Sequence, residues 1–161
     1  VPAVKGQSLA AYDPRVLKGT GATYATCPMG ADHTAGAALP NPTYDPRSPT
    51  GQGQMSEFLQ AWFAAVDSLG LCLFASIPIL ESPELQGRLS DALGAKLGQE
   101  LTAESLFGLG RKVCLLEKGC NRQAGFGPES DRLPAFFSRE VLPPQGDVWD
   151  VPDADLDAVF V

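Results

Sequence analysis

The sequence predicts an all-α fold, a multihelical bundle joined by long irregular loops. Three observations carry that reading. Met55, Phe58, Leu59, Trp62, Phe63, Val66 and Leu69 recur at i, i+3, i+4, i+7, i+8, i+11 and i+14, which lays them along one helix face. Two further helix starts, Ser82-Pro83 and Thr102 with Glu104 behind it, precede leucines at helical spacing. Nowhere does a strong apolar–polar alternation mark a strand.

Taken in order, Val1 to Ala11 reads as short and irregular. Asp13-Pro14-Arg15 is a helix start, with Asp as N-cap and Pro at the first helical position, and Val16 to Ala25 follows as helix. Gly19 and Gly21 weaken that helix by about 1 kcal/mol each relative to Ala. Such glycines admit a close backbone or ligand, or let two helices cross tightly. Leu39 to Gln54, rich in Pro, Gly, Thr and Asn, is a long surface loop. The central helix runs from about Ser56 to Leu69, and Gly70 stops it because glycine reaches positive φ cheaply. Leu73 to Leu80 is apolar and broken by Pro78. Ser82-Pro83 opens a helix with Leu85, Leu89, Leu93 and Leu97 inward. Thr102 caps the next, with Leu106, Leu109, Val113 and Leu116 inward and an end near Gly119. From Asn121 to Val161 the Pro- and charge-rich chain should wrap the surface as extended chain, with a short turn at Asp153 to Ala158.

At 161 residues and 44% apolar composition the chain is able to bury a core. Its formal charge of -7 argues against nucleic acid and anionic membrane as partners, since both select basic surfaces. The longest apolar run, Leu69 to Leu80, is too short to span a bilayer and contains Pro78. No charged-then-apolar leader opens the sequence. The four cysteines form no CxxC pair and no zinc spacing, and a chain with this much core has little need of disulfides. Reduced thiols in a cytoplasmic compartment are expected. The start at Val1 suggests a piece of something longer.

Two places hold candidate chemistry. Asp67 lies in the last turn of the central helix, where a carboxylate opposes the negative end of the helix dipole. A residue that breaks a local rule is a candidate for function. The glycine turn then delivers Cys72. A cysteine among Leu and Phe is most often a small hydrophobe, so Cys72 serves as a ligand only with partners from elsewhere. His33 is the only histidine and the one side chain whose unperturbed pKa, about 6.5, lies near neutrality. A lone histidine is more often structural, and Asp32 beside it cannot face it on a helix.

Several segments, in this order, carry a resemblance. They are Tyr12-Asp13-Pro14-Arg15, Lys18-Gly19-x-Gly21, Tyr24-Ala25-Thr26, Gly30-Ala31-Asp32-His33-Thr34-Ala35-Gly36 and Asp67-Ser68-Leu69-Gly70-Leu71-Cys72. Asn121-Arg122-x-x-Gly125-Phe126, Asp131-x-Leu133-Pro134 and Glu140-x-Leu142-Pro143 complete the set. Together they resemble the C-terminal part of tungsten-containing aldehyde:ferredoxin oxidoreductases, over nearly the whole chain.

That resemblance implies a helical domain, residues 1–161, whose N-terminal cofactor-binding domain lies outside this chain. It implies a tungsten bis-pterin cofactor and a 4Fe–4S cluster. Cys72 takes the role of one cluster ligand, Asp67 and Leu71 hold the pterin by hydrogen bonds, and His33 exchanges a proton with the carbonyl oxygen. Gly19 and Gly21 lie near the active-site channel. The implied reaction oxidises a small aldehyde to a carboxylic acid, with ferredoxin as electron acceptor. The other cluster cysteines are upstream in the family, so this polypeptide alone should be inactive and the rest of the enzyme, or a partner chain, completes the site. Cys72, Asp67 and His33 are then expected on one concave face. The alternative is a helical interaction module of the same descent without redox activity, which expects a sealed Cys72.

Overall fold

Five helices carry the architecture in the computed structural model, which describes residues 1–38 and 44–161. They are α1 (Lys18–Thr26), α2 (Gln52–Ser68), α3 (Leu73–Leu80), α4 (Pro83–Leu97) and α5 (Ala103–Gln123), followed by the short α6 (Phe136–Arg139) and α7 (Asp153–Asp157). Of the expected loop from Leu39, residues 39–43 lie outside the described residues. The described strands form one hairpin, β1 (Ala3–Val4) with β2 (Gln7–Ser8), too short to leave an alternating pattern in the sequence. The fold is all-α, as the sequence predicts.

α2 is the central element. Leu59, Trp62, Phe63 and Val66 are buried along it, as the spacing predicts, while Phe58 stays exposed on the flank. It starts at Gln52, four residues before the expected Ser56, because Gly51 at φ 77 turns the chain into it. Gly53 then lets the Asp155 carbonyl of α7 approach so closely that a Cβ would meet it at 2.5 Å. At the far end Gly70 adopts φ 68, Leu71 N–H donates to the Val66 carbonyl at 3.1 Å and Gly70 N–H to Asp67 at 3.0 Å. These are the two bonds of a Schellman stop.

α5 packs along α2 on a face different from the expected one. Leu106, Gly110 and Cys114 are buried, whereas Leu109 is 37% exposed and Leu116 70%. Gly110 sets this rotation: a Cβ there would lie 1.7 Å from the Ala61 carbonyl oxygen of α2, so only glycine permits the approach. α5 also continues past Gly119 to Gln123. Gly125 at φ 91 is the actual terminator, with Phe126 N–H bonded to Asn121 and Gly125 N–H to Arg122, the same stop as on α2. Its N-terminus is as predicted: Thr102 and Ser105 cap each other reciprocally.

Other boundaries shift for local reasons. α1 begins at Lys18 because Lys18 N–H bonds to the Pro46 carbonyl at 2.9 Å, while the Asp13 carboxylate closes a turn onto Arg15. Gly21 accommodates Trp149 and Pro14, and Gly19 accommodates Tyr44 and Ala38, so side chains supply the close approach. Pro78 sits inside α3 near its end and does not break it. The carbonyl it leaves without a partner belongs to Phe74, which is 78% exposed. Ser82 caps α4 by accepting from Leu85 N–H, but Leu85 and Leu97 are exposed, and Leu89 and Leu93 face the core around α2.

The C-terminal stretch is less superficial than its composition suggests. Trp149, Val151, Leu156, Val159 and Phe160 are buried against α1, α2 and α5. Buried charges there are paired: Lys18 with Asp150, and Asp131 with both Lys5 and Lys118. Lys5 Nζ also donates to the Ala25 and Cys27 carbonyls at the end of α1, where a cation suits the helix dipole.

Candidate functional site

Two grooves flank α2. The first lies between α2 and α5. Gln60, Ala64 and Asp67, at i, i+4 and i+7, line one wall, and Val113, Glu117 and Asn121, at i, i+4 and i+8, line the other. Residues of the Cys27–Ala35 segment close it, and its volume is about 520 Å³.

Gln60 is only 2% exposed, and its amide orientation follows from counting protons. Thr26 Oγ1 donates to the Ala22 carbonyl at 2.7 Å, so it accepts from Gln60 Nε2 at 2.8 Å. Thr23 Oγ1 donates to the Gly36 carbonyl at 2.8 Å, which makes Ser56 the donor in the Thr23–Ser56 bond. Ser56 Oγ therefore accepts the second Gln60 N–H, at 2.9 Å. Both amide protons are committed, and Gln60 Oε1 has no donor among the described residues. A buried unsatisfied acceptor costs about 1–3 kcal/mol.

The charged groups of this groove are acidic. Burial, with a smaller push from Asp67, holds the Glu117 carboxyl above its ordinary value. Among the described residues no cation pairs with Asp67. Burial pushes the Cys27 thiol up to about 11 and the Cys114 thiol to about 12, so both stay protonated at neutral pH. Cys114 Sγ donates to the Gln60 backbone carbonyl at 3.8 Å.

The second groove, of about 560 Å³, is apolar and borders α3. Leu59 and Phe63 of α2 and Phe74 and Ile77 of α3 line it, with His33 and Tyr12 on the far side. The His33 and Tyr12 rings are 5.4 Å apart and tilted by 33°. Asp32 turns away from His33: its Oδ1 accepts from Thr34 N–H at 2.9 Å and Thr34 Oγ1 at 2.8 Å.

The structure thus separates the sequence candidates. Asp67 opens on the polar groove and His33 on the apolar one, and Cys72 lines neither. Among the described residues the expected single concave face is not formed: Asp67 and His33 line different grooves along α2. Asp67, Leu71 and Cys72 do remain together, folded by the Gly70 stop into one turn. Cys72 is exposed at the N-cap of α3, its carbonyl accepting from Ser76 N–H. Leu71 is half-buried in the core around α2, and its N–H is already committed to Val66. Gln60 and Glu117 were not singled out in the sequence. The available signal was a glutamine seven residues before Asp67, which places both on one face of the helix. Among the described residues no three His, Cys, Asp or Glu side chains are grouped to hold a metal ion.

Fold and grooves define the class: an all-α domain whose central helix carries a polar groove on one side and an apolar one on the other. The family description "Aldehyde ferredoxin oxidoreductase, domains 2 & 3" matches residues 1–159. The chain belongs to this oxidoreductase family. It is 31% identical over 148 residues to the tungsten-containing aldehyde ferredoxin oxidoreductase of Pyrococcus furiosus, an alignment covering 87% of this chain and 24% of that protein. The proteins of the same name from Pyrococcus horikoshii and Thermococcus kodakarensis are 30% identical over the same shares. The chain therefore spans about a quarter of the length of the curated relatives it matches.

Proposed function

We propose that residues 1–161 form the C-terminal helical domain of a cytoplasmic tungstopterin iron–sulfur enzyme that oxidises aldehydes to carboxylic acids and delivers electrons to ferredoxin. The turn from Asp67 to Cys72 carries this reading. Its glycine stop places a carboxylate at the rim of a groove whose charged groups are acidic, and a few residues later an exposed thiol. A pterin ring, whose edge presents N–H donors, suits that rim, where Asp67 has no cation partner among the described residues. No helix among the described residues is long and apolar enough to cross a membrane.

Each residue then has a defined task. Asp67 accepts from pterin N–H groups. Leu71 has only its carbonyl left to offer, since Val66 holds its N–H. Cys72, as thiolate, is one ligand of a 4Fe–4S cluster whose other ligands come from the rest of the enzyme or a partner chain. His33, at the apolar groove, exchanges a proton with the substrate's carbonyl oxygen. When bound, the tungsten bis-pterin and the cluster supply the redox chemistry, in which aldehyde and water give acid, two electrons and two protons.

The alternative, an interaction module without redox activity, expects a sealed Cys72, and the exposed thiol speaks against it. The test is Cys72→Ala in the complete enzyme. The cluster's visible absorption and electron transfer to ferredoxin should both be lost, and retention of both rejects the ligand role.

A further inference from the structure

Tyr12-Asp13-Pro14-Arg15 opens no helix, yet its turn is pinned at several points. The Asp13 carboxylate accepts from Arg15 N–H at 2.9 Å, from Nε at 3.0 Å and from Nη2 at 2.6 Å. Arg15 Nη1 donates to the Glu140 carbonyl at 2.9 Å, and the guanidinium lies 5.5 Å from the centre of the Phe137 ring. Pro14 is buried. Tyr12 is the outward member: it is 44% exposed, lines the apolar groove and packs on His33 at 5.4 Å. The pattern recurs at Tyr44-Asp45-Pro46-Arg47 with the same construction. Asp45 Oδ1 accepts from Arg47 N–H at 2.9 Å, Arg47 pairs with Asp147, and Tyr44 lines the same groove. Each arginine ties its turn to the C-terminal stretch, and each turn delivers a tyrosine to one groove. The Tyr44 hydroxyl bonds to Gln52 and makes that ring a wall, whereas the Tyr12 ring meets the imidazole.

We propose that Tyr12 is a positioning residue for His33: its ring, held by the Asp13–Arg15 turn, fixes the imidazole at the edge of the apolar groove. The proposal rests on the reading that His33 exchanges a proton with the substrate's carbonyl oxygen, and it adds a residue and a motif to that reading. A proton-transfer group works only when a further group holds its orientation. Asp32, the neighbour best placed by sequence to do so, is committed to Thr34. Two rings 5.4 Å apart and tilted by 33° attract each other and resist rotation out of contact.

The test uses the complete, cofactor-loaded enzyme carrying Tyr12→Ala, Tyr12→Leu or Tyr12→Phe, each also combined with His33→Ala. Propanal is the aldehyde and an oxidised viologen dye the electron acceptor. In Tyr12→Ala and Tyr12→Leu kcat should fall about three- to ten-fold, with KM, tungsten and pterin at parent level. Tyr12→Phe should keep most of the parent kcat, because it keeps the ring. With His33→Ala in place, the Tyr12 variants should add no further loss. Carbethoxylation of His33 by diethyl pyrocarbonate, read by peptide mass spectrometry, should quicken in Tyr12→Ala and not in Tyr12→Phe. Parent-level kcat in a folded Tyr12→Ala overturns the proposal. So does an equal fall in Tyr12→Phe, a rise in KM alone, an unchanged carbethoxylation rate, or the same fall with and without His33. If His33→Ala by itself leaves turnover unchanged, the reading of His33 fails instead. Should Tyr12→Ala not fold, Tyr12→Leu decides, since it keeps apolar bulk at the groove.

Discussion

The two grooves share α2 and differ in what they ask of a ligand. The α2–α5 groove carries carboxylates, Asp67 and Glu117, at its rim. The His33 groove offers hydrocarbon and aromatic surface with one imidazole at its edge. The first is polar and acidic at its rim, the second mainly apolar. A single helix therefore presents unlike surfaces on two faces: Gln60, Ala64 and Asp67 on one, Met55, Leu59 and Phe63 on the other.

The largest effect should come from breaking the packing of α5 on the helix they share. Gly110→Val in α5 drives a branched side chain into the Ala61 carbonyl, where even a Cβ would sit at 1.7 Å. The helices must separate or the chain must unfold, a cost of about 3 kcal/mol or more. Thermal unfolding should show a large drop in Tm or no cooperative transition. A Tm within a degree or two of the parent would mean that the α2–α5 contact does not fix the polar groove.

Next is a double dissociation. His33→Ala should slow turnover on the order of 100-fold, the lower range for a proton-transfer group, while tungsten and pterin contents stay at parent level. Asp67→Asn should deplete pterin. If His33→Ala also strips the cofactor, the two grooves are one site. If it leaves turnover unchanged, His33 leaves the mechanism.

The turn that joins the two regions should show a smaller effect. Gly70→Ala meets no atom within 4 Å, so the cost is purely the left-handed backbone at φ 68. That predicts about 1 kcal/mol of destabilisation, measured by urea unfolding. A loss several times larger would show that the Asp67–Cys72 turn has constraints beyond its backbone.

What the sequence made legible was local. The apolar stripe of α2, the Gly70 stop and the caps at Ser82 and Thr102 depend on neighbours a few residues apart, and all appear in the structure. The face of α5 was missed because Gly110 has no side chain to register in an apolar pattern, yet it decides the rotation. The burial of Trp149, Val151 and Phe160 was missed because Pro and Asp residues interrupt them, and their partners lie on distant helices. The orphaned Gln60 oxygen emerges only once Thr26 and Ser56 have claimed the amide protons, a fact of α1 meeting α2. His33, Asp67 and the central helix were all visible, but not that the two residues line different grooves along it.

The smallest effect is electrostatic and belongs to the polar groove. The Glu117 carboxyl is held above its ordinary value, by burial first and by Asp67 second. Between the ordinary and the raised value the folded chain binds more protons at this site than the unfolded chain does. Its contribution to stability is therefore present below the ordinary value and is lost as pH rises through the raised one. Glu117→Gln removes that loss. The variant should unfold at a slightly higher temperature than the parent at neutral pH, by a degree or so given the exposed rim. At about pH 3, where both side chains are uncharged, the difference should shrink toward zero. A difference independent of pH would mean that the polar groove holds no electrostatic penalty awaiting a donor-edged ligand, and the contrast with the apolar groove would reduce to shape.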